Sequence, residues 1–306
     1  MKTGLLFFAL LLSGHMSLWA QTKSATSTVS FHQSAPTKFI EAGGTRYAYR
    51  ILGNKPGFPL ILFQHFTGNM DNWDPKVTDG LAQSFTVVLF DNKGIGASGG
   101  ETPDNIAQMA KDAVIFIKAL GYNKVNLLGF SMGGFIAQQI ALDEPQLVNK
   151  IILAGTGQKG AAGLAEIGTP LTVASKMGPE EQKLYLFYSP SANSQAIGKQ
   201  VQLRIHSRKI NRDTDATNTA IMAQLQAILD WAKPAADSLE RLTKISQPVF
   251  IVNGNNDILV PTINSYTMAQ HMPNAQLSLY PDANHGSIFQ YADLFVSQAT
   301  EFLNRH

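Results

Sequence analysis

Three side chains in this sequence could together carry out nucleophilic chemistry: Ser131, Asp257 and His285. A serine hydroxyl is almost wholly protonated at neutral pH, so it attacks only when a base lies within hydrogen-bond reach. Histidine is the side chain suited to that task. A carboxylate behind it would fix the ring tautomer and stabilise the imidazolium formed as the proton is taken. Each of the three follows an apolar, strand-like run. Val125, Leu127 and Leu128 precede Ser131; Val249 to Val252 precede Asn253-Gly254-Asn255-Asn256-Asp257; Leu277 to Tyr280 precede Asp282-Ala283-Asn284-His285. The order serine, aspartate, histidine fits a nucleophile, orienting acid and base.

Ser131 lies within Gly129-Phe130-Ser131-Met132-Gly133, between an apolar strand and a largely apolar helix from Met132 to Leu142. The bare pattern is weak, because an ordinary glycine-rich turn could produce it. A strand before it and a helix after it make it specific: the corner is tight, the glycines leave room for crowded backbone, and the hydroxyl is held above the sheet edge.

These residues can meet only if the elements around them alternate correctly. Lys38 to Ala42 and Arg46 to Leu52 read as two antiparallel strands joined at Gly43-Gly44. Pro59 to Phe63 and Phe85 to Phe90 follow as strands, with a helix near Asp74 to Ala82 between them. Thr102 and Pro103 read as the N-cap and first residue of a helix whose apolar positions run from Ile106 to Leu120, ended by Gly121. After the Ser131 corner comes a strand at Lys150 to Ala154. The alternation then breaks until Gln247, with helical patterning over much of Leu171 to Trp231. Such an insertion is too long for a structureless loop and reads as a helical cap, about residues 157–235. The rhythm resumes with strands at Pro248 to Val252 and Ala275 to Tyr280, a helix at Asn264 to Met272, and a closing apolar stripe from Ile288 to Leu303. In such a chain the strands run parallel and present their C-terminal ends along one edge, where ligands bind. One crossover joins the last two strands, so Asp257 and His285 are expected to be neighbours facing Ser131.

Composition narrows the partners. The formal net charge is +2 with no basic block, so nucleic-acid binding has no electrostatic footprint. There is no cysteine, which excludes disulfides, thiolate metal sites, a catalytic thiol and a lipidated cysteine. Residues 1–20, with Lys2, an apolar run Leu5 to Leu12 and a more polar stretch to Ala20, read as a secretory signal peptide, which predicts export to the periplasm or medium. Its apolar run is too short to span a bilayer, so no stable membrane association is expected after its removal. Residues 21–36, rich in serine and threonine, read as a flexible leader. The roughly 286 residues after Ala20 suffice for one large domain.

With the motifs taken together, the chain resembles the α/β-hydrolase superfamily over everything after the leader. Gly129 to Gly133 is similar to its nucleophile elbow, Gly254 to Asp257 to its acid loop, Asn284-His285-Gly286 to its histidine loop, and Asp91 to Ser98 to its structural turn after the fourth strand. The likeness is greatest to capped esterase and haloperoxidase-like serine hydrolases. It implies a mostly parallel eight-stranded sheet flanked by helices, with the cap inserted, and a cofactor-free serine hydrolase acting on a small ester or lactone through an acyl-enzyme. Amide cleavage, carbon–carbon hydrolysis and perhydrolysis stay open within that class, and a non-catalytic small-ligand-binding protein is the alternative outside it.

The sequence departs from the family at Gln64-His65-Phe66-Thr67-Gly68, where His65 falls on the usual glycine. The oxyanion hole is then expected from the backbone N–H groups of Phe66 and Met132. His65 and Trp231 are candidate pocket residues, while Tyr185, Phe187 and Tyr188 read as cap packing. Asp91 reads as a turn stabiliser and Asp282 as a loop residue. Arg204, His206, Arg208, Lys209 and Arg212 read as a solvated face from which one side chain could meet an anionic substrate group. His32, His206, His271 and His306 lack partners at ligand spacing, so no metal site is expected.

Overall fold

The apolar runs become strands because the sheet they form is covered on both faces. The computed structural model describes Met1 and residues 30–305. Strands β1 (Lys38–Ala42), β2 (Thr45–Leu52), β3 (Leu60–Phe63), β4 (Val87–Phe90), β5 (Val125–Phe130), β6 (Val148–Ala154), β7 (Val249–Gly254) and β8 (Ala275–Tyr280) form one sheet, ordered β1-β2-β4-β3-β5-β6-β7-β8. The β1–β2 and β2–β4 pairs are antiparallel and the remaining pairs parallel. Every residue of β3, β4, β5 and β7 is buried, which is why these strands read as unbroken apolar runs. Side chains alternate between the two cores: Ile61 and Phe63 enter one, Leu60 and Leu62 the other.

Helices α1 (Phe31–Ser34), α2 (Pro75–Ala82), α3 (Ile106–Ala119) and α4 (Met132–Asp143) accompany the first strands. Between β6 and β7 the described residues hold no strand, and α5 (Gly168–Ala174), α6 (Pro179–Phe187), α7 (Ala192–Ile205) and α8 (Asn218–Ala232) make up the cap. Helices α9 (Ser238–Thr243), α10 (Ile263–His271), α11 (Ser287–Gln290) and α12 (Ala292–Asn304) complete the chain. One core takes Ile117 of α3, Ile136 of α4 and Met268 of α10; the other takes Val77 of α2 and Phe295 of α12. Among the described residues no helix is long and apolar enough to cross a membrane.

Three expectations need correction. The leader reading fails where it can be compared, since α1 is packed: His32 is buried, its N–H donates to Asp79 Oδ1 at 2.6 Å, and its Nδ1 lies 2.9 Å from Thr78 Oγ1. A helix of four residues is too short to show periodicity in sequence. The rest of the leader and the signal-peptide segment, Met1 apart, lie outside the described residues. Helix α3 starts at Ile106, capped by Asn105 Oδ1 accepting from Gln108 N–H at 2.8 Å, while Thr102 Oγ1 turns to the Lys93 carbonyl at 3.1 Å. The closing stripe is two helices, broken at Tyr291, where the backbone leaves helical geometry (φ −109°, ψ 41°).

The cap is anchored by buried charge. Arg50 on β2 donates to Asp71 Oδ1 at 2.6 Å, and to Asp213 Oδ2 and the Asn211 carbonyl, just before α8, at 2.9 and 3.0 Å. Arg208 donates to the carbonyls of His32 and Gln33 at 2.8 and 2.9 Å. The cap is thereby tied to both strand β2 and the N-terminal segment.

Candidate active site

Strand β5 delivers the chain into Ser131 at φ 56° and ψ −120°, a region that a residue with a side chain enters only under strain. Neighbours hold it there. The Ser131 N–H donates to the Ala154 carbonyl at 2.8 Å, and Thr156 Oγ1 donates to the Ser131 carbonyl at 2.8 Å. A Cβ on Gly129 would strike the Gly133 carbonyl, and one on Gly133 would strike the Phe63 carbonyl, so the corner closes only with glycine at both places. Both the bonds and the close approach orient Ser131 towards a cavity of about 840 Å³ beneath the cap, whose wall includes His65, Ser131 and His285.

His285 and Asp257 come together as the crossover requires, with His285 Nδ1 2.9 Å from Asp257 Oδ2. Asp257 Oδ1 accepts the N–H groups of Leu259 and Val260 at 2.8 and 2.9 Å, so the carboxylate is fixed on both oxygens. One side chain joins the two loops: Asn284 Oδ1 accepts from the N–H of His285 and of Ile258, both at 2.9 Å, and its Nδ2 donates to the Tyr185 carbonyl of α6 at 3.2 Å. Because Asp257 is an acceptor, Nδ1 carries the proton, leaving Nε2 of His285 as a lone pair. The ring packs against Phe130 and Phe187, at centroid distances of 5.0 and 5.5 Å.

The loop opposite is built around His65. Its N–H donates to Gln64 Oε1 at 2.9 Å, its carbonyl accepts from Gly68 N–H at 2.9 Å, and its Nδ1 lies 2.6 Å from the Phe66 carbonyl. The positive φ in this loop belongs to Thr67 (63°), so His65 does not occupy a conformation that glycine alone favours. Thr67 N–H donates to Gln224 Oε1 of α8 at 2.7 Å, which ties the loop to the cap. Neither Phe66 N–H nor Met132 N–H donates to an acceptor among the described residues. Burial, with the Lys183 ammonium adding to it, pushes the His65 pKa down to about 3. The ring is therefore neutral across the physiological range, with its proton on Nδ1 facing a carbonyl.

The other expected residues separate clearly. Trp231 does not line the cavity: it is buried against Phe135, ring centroids 5.3 Å apart, and its Nε1 donates to the Gly157 carbonyl at 3.3 Å. The candidate pocket role is therefore not met, because the buried face of α8 that carries Trp231 turns to the core. Phe187 and Tyr188, by contrast, pack within the cap and also reach the cavity wall. Asp91 braces its turn, accepting from the N–H of Met70 and of Ala97, both at 2.9 Å; burial, reinforced by Asp213, pushes its carboxyl up to about 8. Asp282 accepts from Ser191 Oγ at 2.5 Å, outside the site. Of the basic group, Arg204 is committed to Asp74 at 2.9 and 2.7 Å, while His206 and Arg212 reach the cavity. Gln224 and Lys183 were not singled out by the sequence, since a lone glutamine or lysine on a helix carries no motif.

The comparisons agree with this architecture. A family model described as the alpha/beta hydrolase fold matches residues 59–192. The solved structure of an alpha/beta hydrolase fold protein from Chitinophaga pinensis is 46% identical, with a TM-score of 0.87 over 90% of this chain and 99% of that one. A poly(3-hydroxyalkanoate) depolymerase of Ectopseudomonas oleovorans is 29% identical over 74% of this chain and 77% of its own. A pimeloyl-[acyl-carrier protein] methyl ester esterase of Nitrosomonas europaea is 28% identical over 80% and 94%. The chain belongs to the α/β-hydrolase family and is a hydrolase.

Proposed function

We propose that the chain is a serine hydrolase acting on a small ester or lactone, with Ser131 as nucleophile, His285 as base and Asp257 as its orienting acid. The observation that carries this reading is the convergence of Ser131, strained at φ 56°, with His285 on one cavity wall, the imidazole backed by Asp257 at 2.9 Å. Ser131 Oγ adds to the carbonyl carbon as its proton passes to His285 Nε2. Phe66 and Met132 N–H groups bond the oxyanion, each lowering the barrier by roughly 3 to 4 kcal/mol. Collapse breaks the ester bond, and the leaving oxygen takes the proton from Nε2. Water then repeats the sequence on the acyl-enzyme: it gives a proton to Nε2, adds to the acyl carbon, and the acid departs as Ser131 regains its proton. No cofactor enters these steps.

A short-chain aryl ester assay tests the proposal. Wild type should turn over and Ser131→Ala should not, with both proteins folded. Equal rates would overturn the mechanism, and a folded wild type that binds esters without cleaving them would favour a binding protein. We also propose export, on the sequence of residues 1–20; N-terminal sequencing of protein recovered outside the cytoplasm should start after residue 20, and an intact Met1 would refute it.

A further inference from the structure

We propose that Lys183 is an anion subsite, so that the ester taken into this cavity carries a carboxylate on the part lying beneath the cap. The inference rests on the reading of Ser131 as nucleophile and narrows its substrate class. Lys183 and Phe187 are one helical turn apart on α6 and share a face. The Phe187 ring lies between the Lys183 ammonium and the two histidine rings: Lys183 Nζ is 5.6 Å from its centroid, and that centroid is 5.5 Å from the His285 ring and 5.3 Å from the His65 ring. The ammonium therefore stands one aromatic ring away from the reacting groups, on the cavity wall.

The ammonium meets no carboxylate at ion-pair distance among the described residues. Lysines 76, 118, 233 and 244 each meet a carboxylate within 3.0 Å, whereas Lys183 makes no ion pair and no side-chain hydrogen bond among the described residues. Asp215 lowers its isolation only from a distance. Enclosure pulls its pKa below the ordinary lysine value, the direction expected of a cation with too little solvent and no partner. The remaining charged groups on the wall are placed differently. Glu180, Lys199 and Asp215 are exposed at the mouth, and Arg212 is bonded to the Ile205 and Arg208 carbonyls. A half-buried, unpaired cation is costly unless a ligand supplies the missing charge, and a carboxylate reaching it would form a charge-assisted bond. Its contact with the Phe187 ring gives the rival reading, in which Lys183 only steadies the cap.

The test compares two aryl esters of equal length, the p-nitrophenyl monoester of adipic acid and p-nitrophenyl hexanoate, on wild type, Lys183→Met and Lys183→Arg. Wild type should favour the anionic ester. Lys183→Met should raise KM for that ester by about ten- to a hundredfold with kcat little changed, the range expected for one charged hydrogen bond. Hexanoate kinetics should stay within about threefold, and Lys183→Arg should recover most of the preference. Equal losses on both esters would assign Lys183 to cap structure, and no anionic preference in wild type would also overturn the proposal. Calorimetry on Ser131→Ala with adipate monomethyl ester separates the two readings. Binding that vanishes when Lys183→Met is added would sustain the subsite where wild type hydrolyses neither ester and so shows no kinetic preference to compare, and absence of binding would end it. Turnover of both esters that is indifferent to Lys183 leaves the serine mechanism intact and removes the subsite.

Discussion

The cavity has two walls, and they are fixed by different means. On the sheet side, Ser131, Asp257 and His285 follow β5, β7 and β8, and each is held by hydrogen bonds from backbone or from Asn284. Asp257 alone receives three. On the cap side, Phe187 and Lys183 project from α6; its backbone is bonded through the Tyr185 and Phe187 carbonyls to Asn284 Nδ2 and Gly286 N–H at 3.2 and 2.8 Å, but the Phe187 side chain is held by packing and the Lys183 ammonium makes no polar bond among the described residues. Directional bonds hold atoms to fractions of an ångström, whereas apolar packing fixes shape and tolerates exchange. The difference suggests a division of labour in which the sheet wall sets kcat and the cap wall sets KM.

The largest test strikes the sheet wall. Ser131→Ala should lower kcat by at least about a thousandfold while leaving the melting temperature within a few degrees, because no hydrogen bond among the described residues uses its hydroxyl. Asp257→Asn should cost kcat about as much, near 10⁴-fold, since an amide set to accept the Leu259 and Val260 N–H groups presents its NH₂ to Nδ1 and selects the wrong tautomer. Steady-state kinetics on a neutral aryl ester read both. A loss seen mainly in KM for either variant would erase the proposed division.

The same division explains what could be read beforehand. Serine, aspartate and histidine were legible because a parallel sheet has one ligand-binding edge, and a residue just past a strand end must lie on it. The strand runs, the elbow glycines and the strandless stretch after β6 were legible for the same reason of period and length. The cap wall was not, because helical spacing shows that Trp231 and Phe187 are each on a buried face but not what faces them: for Trp231 it is Phe135, for Phe187 the cavity. His65 appeared anomalous because the sign of φ is invisible in sequence; the structure puts the positive φ at Thr67. Lys183 carried no signal either, since its isolation is a fact about its neighbours.

An intermediate effect is expected where the walls touch. Gln224 of the cap accepts from Thr67 N–H at 2.7 Å, next to the proposed oxyanion donor Phe66, while its own Nε2 is buried without a partner among the described residues. Gln224→Ala should free the loop without touching Ser131, His285 or Asp257. We expect kcat to fall about tenfold, less than the loss of a whole oxyanion donor, with KM for a neutral ester within about threefold. A KM effect without a kcat effect would show that this bond serves substrate entry instead, and the cap would then belong wholly to specificity.

The smallest effect on turnover should come from the base of the cap, at His32. Its carbonyl accepts from Arg208, so α1 helps hold the cap segment, yet it lies away from the cavity. Burial pushes its pKa down from 6.5 to about 4. The unfolded chain therefore binds the proton first. Stability from the neutral ring is complete above about pH 6.5 and is lost as the pH falls towards 4. Between pH 7 and pH 5 this amounts to about 2 kcal/mol. Urea unfolding at the two pH values should show wild type losing that much more stability than His32→Leu, which has no proton to gain, while both keep similar turnover at pH 7. Equal losses would mean that His32 is not held neutral by its burial. A large fall in turnover at pH 7 would mean that α1 governs the catalytic wall as well as the cap, contrary to the separation drawn between them.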